Sequence, residues 1–314
     1  MGIRNRPVAT DVEPPRLAAL DPTLGDPTTA SAVEAAIAVD PGRFDGIVRS
    51  IGDPDLRVHV VRTALGAVAD RQPDWIAPAR RESVASMLHG FALLEHAAML
   101  QAGAPGNGSE TWSRVHQHLR QAERELTWAV RTDPHRVDAF TGLFSARPAL
   151  AANPVETADL WRRCLAVNGL VASAAIARCD GLAPRFGGSV EAMFAFADEA
   201  EAHAPNGSPV HATVASAVLE WAIASLDAGA SPTNETVVGR LRSATQRCGF
   251  EQRRATSPID LDALNACAVA AVAVGDQELA TWLVSLIGVD PHRIVGPRWA
   301  RLGDPIEVFL SVSR

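Results

Sequence analysis

Polar residues with short side chains repeatedly precede a proline along this chain, a pattern typical of helix starts. The side-chain oxygen of Asp, Asn or Ser can accept a backbone N–H group that the first turn of a helix leaves unpaired. Proline suits the next position because it has no N–H to lose and its φ already fits a helix. Repeated signals of this kind predict many helices of ordinary length. Eight such pairs are interpreted as helix starts: Asp40-Pro41, Asp53-Pro54, Asp133-Pro134, Asn153-Pro154, Ser231-Pro232, Ser257-Pro258, Asp290-Pro291 and Asp304-Pro305.

The spacing of apolar residues also predicts helices. Between Trp112 and Val130 an apolar stripe returns every three or four residues, and residues 210–226 and 279–286 repeat the pattern. Residues 306–312 alone have a β-like composition, and the preceding Asp304-Pro305 pair favours a helix there. We therefore expect an all-α fold.

Composition along the chain predicts a tail and one continuous helical body. Residues 1–27 are rich in Pro, Asp and Thr and lack a sustained period, so they are expected to be disordered. The remainder is expected to form an N-terminal helical part (28–104), a central part (110–205) and a C-terminal part (206–314).

Weak internal similarity suggests the arrangement of these helices. The segment from Trp128 to Ala139 reads like the segment from Trp161 to Ala172, and residues 289–294 echo the first one. These segments resemble the junctions of tetratricopeptide repeats, most closely over residues 110–205. The resemblance implies an irregular α-solenoid of antiparallel helix pairs with an extended concave face, a surface commonly used to bind proteins.

Missing residue types exclude several chemistries. The chain has no Lys and no Tyr, so its 29 basic residues are all Arg. Without Lys it cannot form the Schiff base of pyridoxal phosphate enzymes or the lysine contact of the common nucleoside triphosphate sites. Its net charge of −7 argues against nucleic-acid binding. We therefore expect no cofactor of these kinds.

The cysteines, histidines and N-terminus predict a reduced cytoplasmic protein without a metal. Four cysteines occur without a CxxC motif and are expected to be reduced and buried. His116 and His118 diverge on a helix, and Glu199 with His203 supplies only two ligands. The start of the chain lacks the apolar region of a signal peptide, and no apolar run reaches the roughly 20 residues of a membrane span. No membrane association is expected.

A glycine-rich loop is the best candidate site. Gly187 and Gly188 permit close backbone approach, Arg185 adds charge, and the helix that follows offers free N–H groups. The segment resembles that of uncharacterised bacterial helical proteins with a Pro-Arg-Trp-Gly-Gly-Ser loop, which adds no activity. An alternative is a tight turn with Phe186 in the core and Ser189 as a helix cap. The candidate binding residues are Arg185, Phe186, Gly187, Gly188, Ser189, Trp161 and Arg162.

Two function classes follow from these observations. The leading hypothesis is a protein-interaction scaffold or accessory factor, because the sequence resembles helical repeats and shows no catalytic motif. Its acidic groups alternate around helix faces rather than converging, so no catalytic residue is assigned. The alternative is a helical enzyme or a binder of a small, anionic molecule, with an Arg- and Trp-lined pocket near the glycine-rich loop.

Overall fold

The structure is a computed structural model that describes residues 20–77, 82–102, 109–251, 255, 257–288 and 290–313. All regular structure in these ranges is helical, which confirms the predicted all-α class. The helices are α1 (Pro27–Ile37), α2 (Pro41–Ser50), α3 (Pro54–Gly66), α4 (Ser83–Ala102), α5 (Ser109–Thr132), α6 (Val137–Ala149), α7 (Pro154–Asn168), α8 (Ala172–Asp180), α9 (Val190–His203), α10 (Thr213–Asp227), α11 (Glu235–Cys248), α12 (Pro258–Ala273), α13 (Gln277–Ile287), α14 (Gly296–Trp299) and α15 (Pro305–Val312).

Most of the predicted helix starts are confirmed. The side chains of Asp40, Asp53, Asn153, Ser257 and Asp304 each accept a backbone N–H at the start of an α-helix. Asp290 does the same for a short 3-10 turn.

Two predicted starts are wrong, because a nearby residue begins the helix instead. Asp133 caps a turn by accepting the N–H of His135, and α6 begins only at Val137. The Ser231-Pro232 pair lies in a loop, and Asn234 caps α11 by accepting two backbone N–H groups.

The end of the predicted tail is part of the folded body. Residues 1–19 lie outside the described ranges, whereas residues 20–26 form a turn and Asp26 caps α1. We call residues 20–26 the N-terminal strap. The predicted boundary between the first two helical parts falls in residues 103–108, which the structure does not describe.

Five helices form a closed inner ring. In order along the chain, α3 packs against α6, α6 against α8, α8 against α10, and α10 against α12. Helix α12 returns to contact α3, so the arrangement closes on itself. The concave side of the ring therefore surrounds a central space that is partly open to solvent.

The other long helices pack around this ring. Helices α4 and α5 pair with each other and lie against α3 and α6, while α7, α9, α11 and α13 each support the inner helix beside them in sequence. Alanine, leucine and valine supply most of the core, in keeping with an aromatic content of only 5%. All four cysteines are buried free thiols, as predicted.

Among the residues that the structure describes, one segment, Pro209–Asp227, is long and apolar enough to cross a membrane by length and composition alone. Its most apolar window is 67% buried against the rest of the protein, as expected for a core helix.

Candidate functional site

A cavity of about 750 Å³ fills the centre of the inner ring. Each of the five ring helices contributes residues spaced three or four apart, which is the spacing that keeps side chains on one helix face. Helix α8, for example, presents Ser173, Ile176, Ala177 and Asp180. The cavity is therefore a product of the whole ring.

Two groups of ion pairs lie in the cavity wall. The Arg298 cluster consists of Asp180, Asp262 and Arg298, and the Glu220 cluster consists of Arg185, Glu220 and Arg301. In the Arg298 cluster, the guanidinium donates two hydrogen bonds of 2.9 and 2.7 Å to the Asp262 carboxylate, and its Nη1 lies 3.6 Å from Asp180. In the Glu220 cluster, both arginines contact the same carboxylate oxygen, Oε1.

Burial and charge act in opposite directions on the Asp262 carboxyl. Burial is the largest influence and would raise its pKa, but the charge and hydrogen bonds of Arg298, together with His59 and Arg62, hold that pKa below its usual value. Asp262 raises the pKa of Arg298 in turn, against the opposing effect of burial. Both groups are therefore ionised at neutral pH.

Helix α3 supplies an acid and an imidazole one turn apart. Burial raises the pKa of Asp55, although the carboxylate accepts a 2.7 Å hydrogen bond from the Ser173 backbone. Burial also lowers the pKa of His59, an effect that Asp262 and the Thr23 backbone partly offset. At neutral pH the imidazole is therefore uncharged and able to donate or accept a proton.

Three polar atoms of the cavity wall are buried without a hydrogen-bond partner. The Ser216 side chain on α10 is only 5% exposed, and its Oγ is unpaired. The Oγ atom of Ser173 on α8 and the Nε2 atom of His59 on α3 are likewise unpaired. Buried polar groups in proteins are normally hydrogen-bonded, so these three atoms indicate places where a bound molecule would supply a partner.

The N-terminal strap lines one side of the cavity. Leu20, Asp21 and Leu24 contribute to the wall. The Asp21 carboxylate pairs with His292, and the Pro22 carbonyl accepts a 3.5 Å hydrogen bond from Thr63 on α3. The strap therefore bridges α3 and the turn that follows α13.

The glycine-rich loop brings only part of the predicted site to the cavity. Arg185 and Phe186 line it, and the Arg185 guanidinium lies over the Phe186 ring at 4.8 Å. Phe186 is 36% exposed rather than packed in the core. Gly187 and Gly188 shape the turn, and Ser189 caps α9 through the N–H of Ala192.

Trp161 and Arg162 lie away from this cavity. Trp161 is buried and packs edge-to-face against Phe144 and Phe196. Arg162 is exposed and pairs with Asp159 one turn earlier on α7. The structure thus brings Arg185 and Phe186 together and separates them from the other two candidates.

Sequence reasoning missed the residues that meet Arg185 in space. Glu220, Asp262, Arg298 and Arg301 come from distant parts of the chain, and no short motif joins them. Only Glu220 is marked by a signal in the sequence, because it is a charged residue on a helix, α10, that is otherwise mostly apolar.

The histidines do not assemble a metal site in the described ranges, where no group of three His, Cys, Asp or Glu side chains is placed to hold an ion. His116 bonds to the Trp112 carbonyl, and His118 packs edge-to-face on His96 with ring centres 4.9 Å apart. His203 bonds to the Glu199 carbonyl rather than to its carboxylate.

No protein-family model matches the sequence, and no curated protein is significantly similar to it. The cavity is therefore interpreted on its own geometry and chemistry.

Proposed function

We propose that this protein binds a small organic molecule in the central cavity of the ring. The observation that carries the proposal is a partly open central cavity whose walls contain two ion-pair clusters and three buried polar atoms without a hydrogen-bond partner. Ligand sites in proteins are typically concave and mostly apolar, with a few well-placed polar groups that fix orientation.

The size and walls of the cavity support this function. Its volume of about 750 Å³ lies within the range of about 300–1,000 Å³ common for small-molecule sites. Apolar contacts are available from Val58, Phe144, Ile176 and Leu219, each on a different ring helix. A ligand would therefore gain burial of an apolar body together with specific polar contacts.

A pair of size variants tests the proposal. Ala177 lines the cavity on α8, so Ala177→Phe would fill part of it, whereas Ala166 is exposed on α7 and Ala166→Phe serves as the matched control. A metabolite library is screened by thermal shift, and ligands that copurify from the native host are sought by native mass spectrometry. A ligand present at 100 times its Kd stabilises a protein by about 2.7 kcal/mol.

We expect such a ligand to raise the Tm of the native chain and of Ala166→Phe, but not that of Ala177→Phe. Equal binding to Ala177→Phe would place the ligand elsewhere. Failure of every compound, with no copurifying molecule, would contradict the function itself.

A protein-interaction role with a tetratricopeptide-like solenoid stays a second proposal, as does a cytoplasmic location. One observation favours the interaction role: Val155 and Val167 on outer helix α7 are 66% and 39% exposed. Pull-down from the native host with Val155→Asp tests this role, and we expect a specific partner to be lost.

A further inference from the structure

The Arg298 cluster carries an excess of negative charge. Two carboxylates, Asp180 and Asp262, share the single guanidinium of Arg298. Asp262 takes both short hydrogen bonds, which leaves Asp180 with a longer contact of 3.6 Å. The Asp180 side chain is 34% exposed, so it keeps acceptor capacity for a cationic group in the cavity.

The Glu220 cluster carries the opposite excess. Two guanidinium groups, those of Arg185 and Arg301, share the single carboxylate of Glu220, which is almost fully buried. Each arginine uses one nitrogen in this contact, and each has five N–H donors. Their side chains are 37% and 32% exposed, so unused donors are available to an anion.

The two clusters are neighbours in one wall. Asp180 ends α8, and Arg185 follows it within the same connection. Arg298 and Arg301 come from the last turn of α14 and the residues directly after it. The unpaired Oγ of Ser216 lies one turn before Glu220 on α10. A cation-attracting and an anion-attracting group therefore lie side by side, with an unpaired hydroxyl nearby.

Among the other charged side chains of the cavity wall that the structure describes, only Asp55 has no ion pair, and its carboxylate accepts a hydrogen bond from the Ser173 backbone. Glu95 pairs with Arg62 at 3.1 Å, and Asp21 pairs with His292 at the strap. His59 on α3 is uncharged at neutral pH because burial lowers its pKa. Among the cavity ion pairs that the structure describes, only the Arg298 cluster has an excess of negative charge and only the Glu220 cluster has an excess of positive charge.

We propose that the ligand is a zwitterion, with a protonated amine held by Asp180 and Asp262 and a carboxylate held by Arg185 and Arg301. This inference rests on the proposed small-molecule function. The ligand amine balances the excess negative charge of Asp180 and Asp262. The ligand carboxylate accepts charge-assisted hydrogen bonds from the guanidinium N–H groups that Glu220 leaves free. The apolar side chains of the ring, such as Leu219 and Ile176, contact the carbon skeleton between or beside the two groups.

A set of matched probes tests this ligand class. Calorimetry compares ω-amino acids with three, five and seven methylene groups against hexanoate and hexylamine, which each carry one of the two charges. We expect the best ω-amino acid to bind at least about tenfold more tightly than either singly charged probe, because each added contact contributes free energy. A phosphonate analogue of the best binder tests whether phosphate chemistry replaces the carboxylate.

Two variants assign the two ends. Arg301→Gln is expected to weaken the ω-amino acid and hexanoate about tenfold but not hexylamine, and Asp180→Asn is expected to weaken the ω-amino acid and hexylamine but not hexanoate. The matched controls are Arg163→Gln and Asp227→Asn, whose side chains are exposed on α7 and at the end of α10. Both controls are expected to bind like the native chain.

The outcomes separate this inference from the function on which it rests. If ω-amino acids bind no better than the singly charged probes, or if either variant weakens both of those probes equally, the zwitterion inference is wrong. If no probe binds but another compound is blocked by Ala177→Phe, the cavity still binds small molecules and the zwitterion inference falls alone. If Ala177→Phe blocks nothing, both proposals fall.

Discussion

At the scale of single residues, histidines whose pKa is lowered by burial make the protein less stable as the pH falls. His89 on α4 is 4% exposed, and neither of its ring nitrogens has a hydrogen-bond partner. Burial lowers the pKa of His89, of His59 and of His118. In the unfolded chain these groups take up protons near pH 6.5, whereas in the folded chain they do so only at lower pH. The unfolded state therefore binds more protons as the pH falls below about 6.5, and folding stability declines.

Replacing His89 with leucine should stabilise the protein. An unpaired buried polar group costs about 1–3 kcal/mol, so we expect His89→Leu to raise the free energy of unfolding by about 1 kcal/mol at pH 7. The variant should also lose less stability than the native chain between pH 7 and pH 5, because one proton-binding difference is removed. Urea denaturation at both pH values measures this. His203→Leu, at an exposed position on α9, is the control, and lower stability of His89→Leu would contradict the argument.

At the scale of elements, the sequence predicts the helices far better than the connections between them. Asp53 and Ser257 are strong local signals, since a side-chain oxygen and a following proline act within one turn. The failure at Ser231 shows the limit, because Asn234 three residues later offers the same chemistry and accepts two N–H groups. Which polar residue caps the helix depends on where the helix packs, and a local pattern does not contain that information.

Two adjacent glycines make the loop at residues 184–189 unusual in the sequence, and the structure shows a different reason for each of them. Gly187 has a φ of +81°, and no atom lies within 4 Å of the position where a Cβ would be added. A Cβ at Gly188 would lie 2.0 Å from the Leu182 carbonyl oxygen, which is backbone and has no side-chain freedom to move aside. One glycine is needed for conformation and the other for close approach.

Alanine at these two positions should therefore have unequal effects. Gly187→Ala is expected to cost about 1–2 kcal/mol from the left-handed backbone alone. Gly188→Ala should cost more, about 3 kcal/mol, because it forces a backbone shift in the loop that holds Arg185 against Glu220. Chemical denaturation compares the two, with zwitterion binding as a second readout for Gly188→Ala. Equal losses of stability would show that the close approach to Leu182 has no energetic importance.

At the scale of the whole molecule, closure of the helix ring creates the central cavity. The sequence resemblance implied a concave face, but no local pattern predicts that α12 contacts α3. The sequence predicts a role for Arg185 because its loop is unusual. It predicts none for Glu220, Arg298 or Arg301, because these residues become neighbours only when the ring closes. The set of residues that forms the site therefore depends on long-range packing, which no pattern in a single sequence reveals.

The N-terminal strap adds a pH-dependent contact at this cavity, the pair of Asp21 and His292. Asp21 is the main influence that raises the pKa of the exposed His292 imidazole, through a hydrogen bond and its charge. A raised folded-state pKa means that the contact is fully present below about pH 6.5 and is lost as the pH rises through the higher folded value. This direction is opposite to that of His59, His89 and His118, so the strap should loosen at a pH where the buried imidazoles favour folding.

Amide hydrogen exchange in residues 20–26, corrected for the intrinsic pH dependence of exchange, measures this loosening. We expect protection of the strap to fall between pH 6 and pH 8 in the native chain, because the charged pair of Asp21 and His292 is lost as His292 deprotonates. His292→Gln should show, at both pH values, the low protection that the native chain has at pH 8. The control is His135→Gln, at an exposed turn before α6, which should behave like the native chain. Since Leu20 and Leu24 line the cavity, ligand release should accelerate over the same pH interval. Protection that is independent of pH in the native chain would show that apolar contacts of Leu20 and Leu24, rather than the ion pair, hold the strap in place.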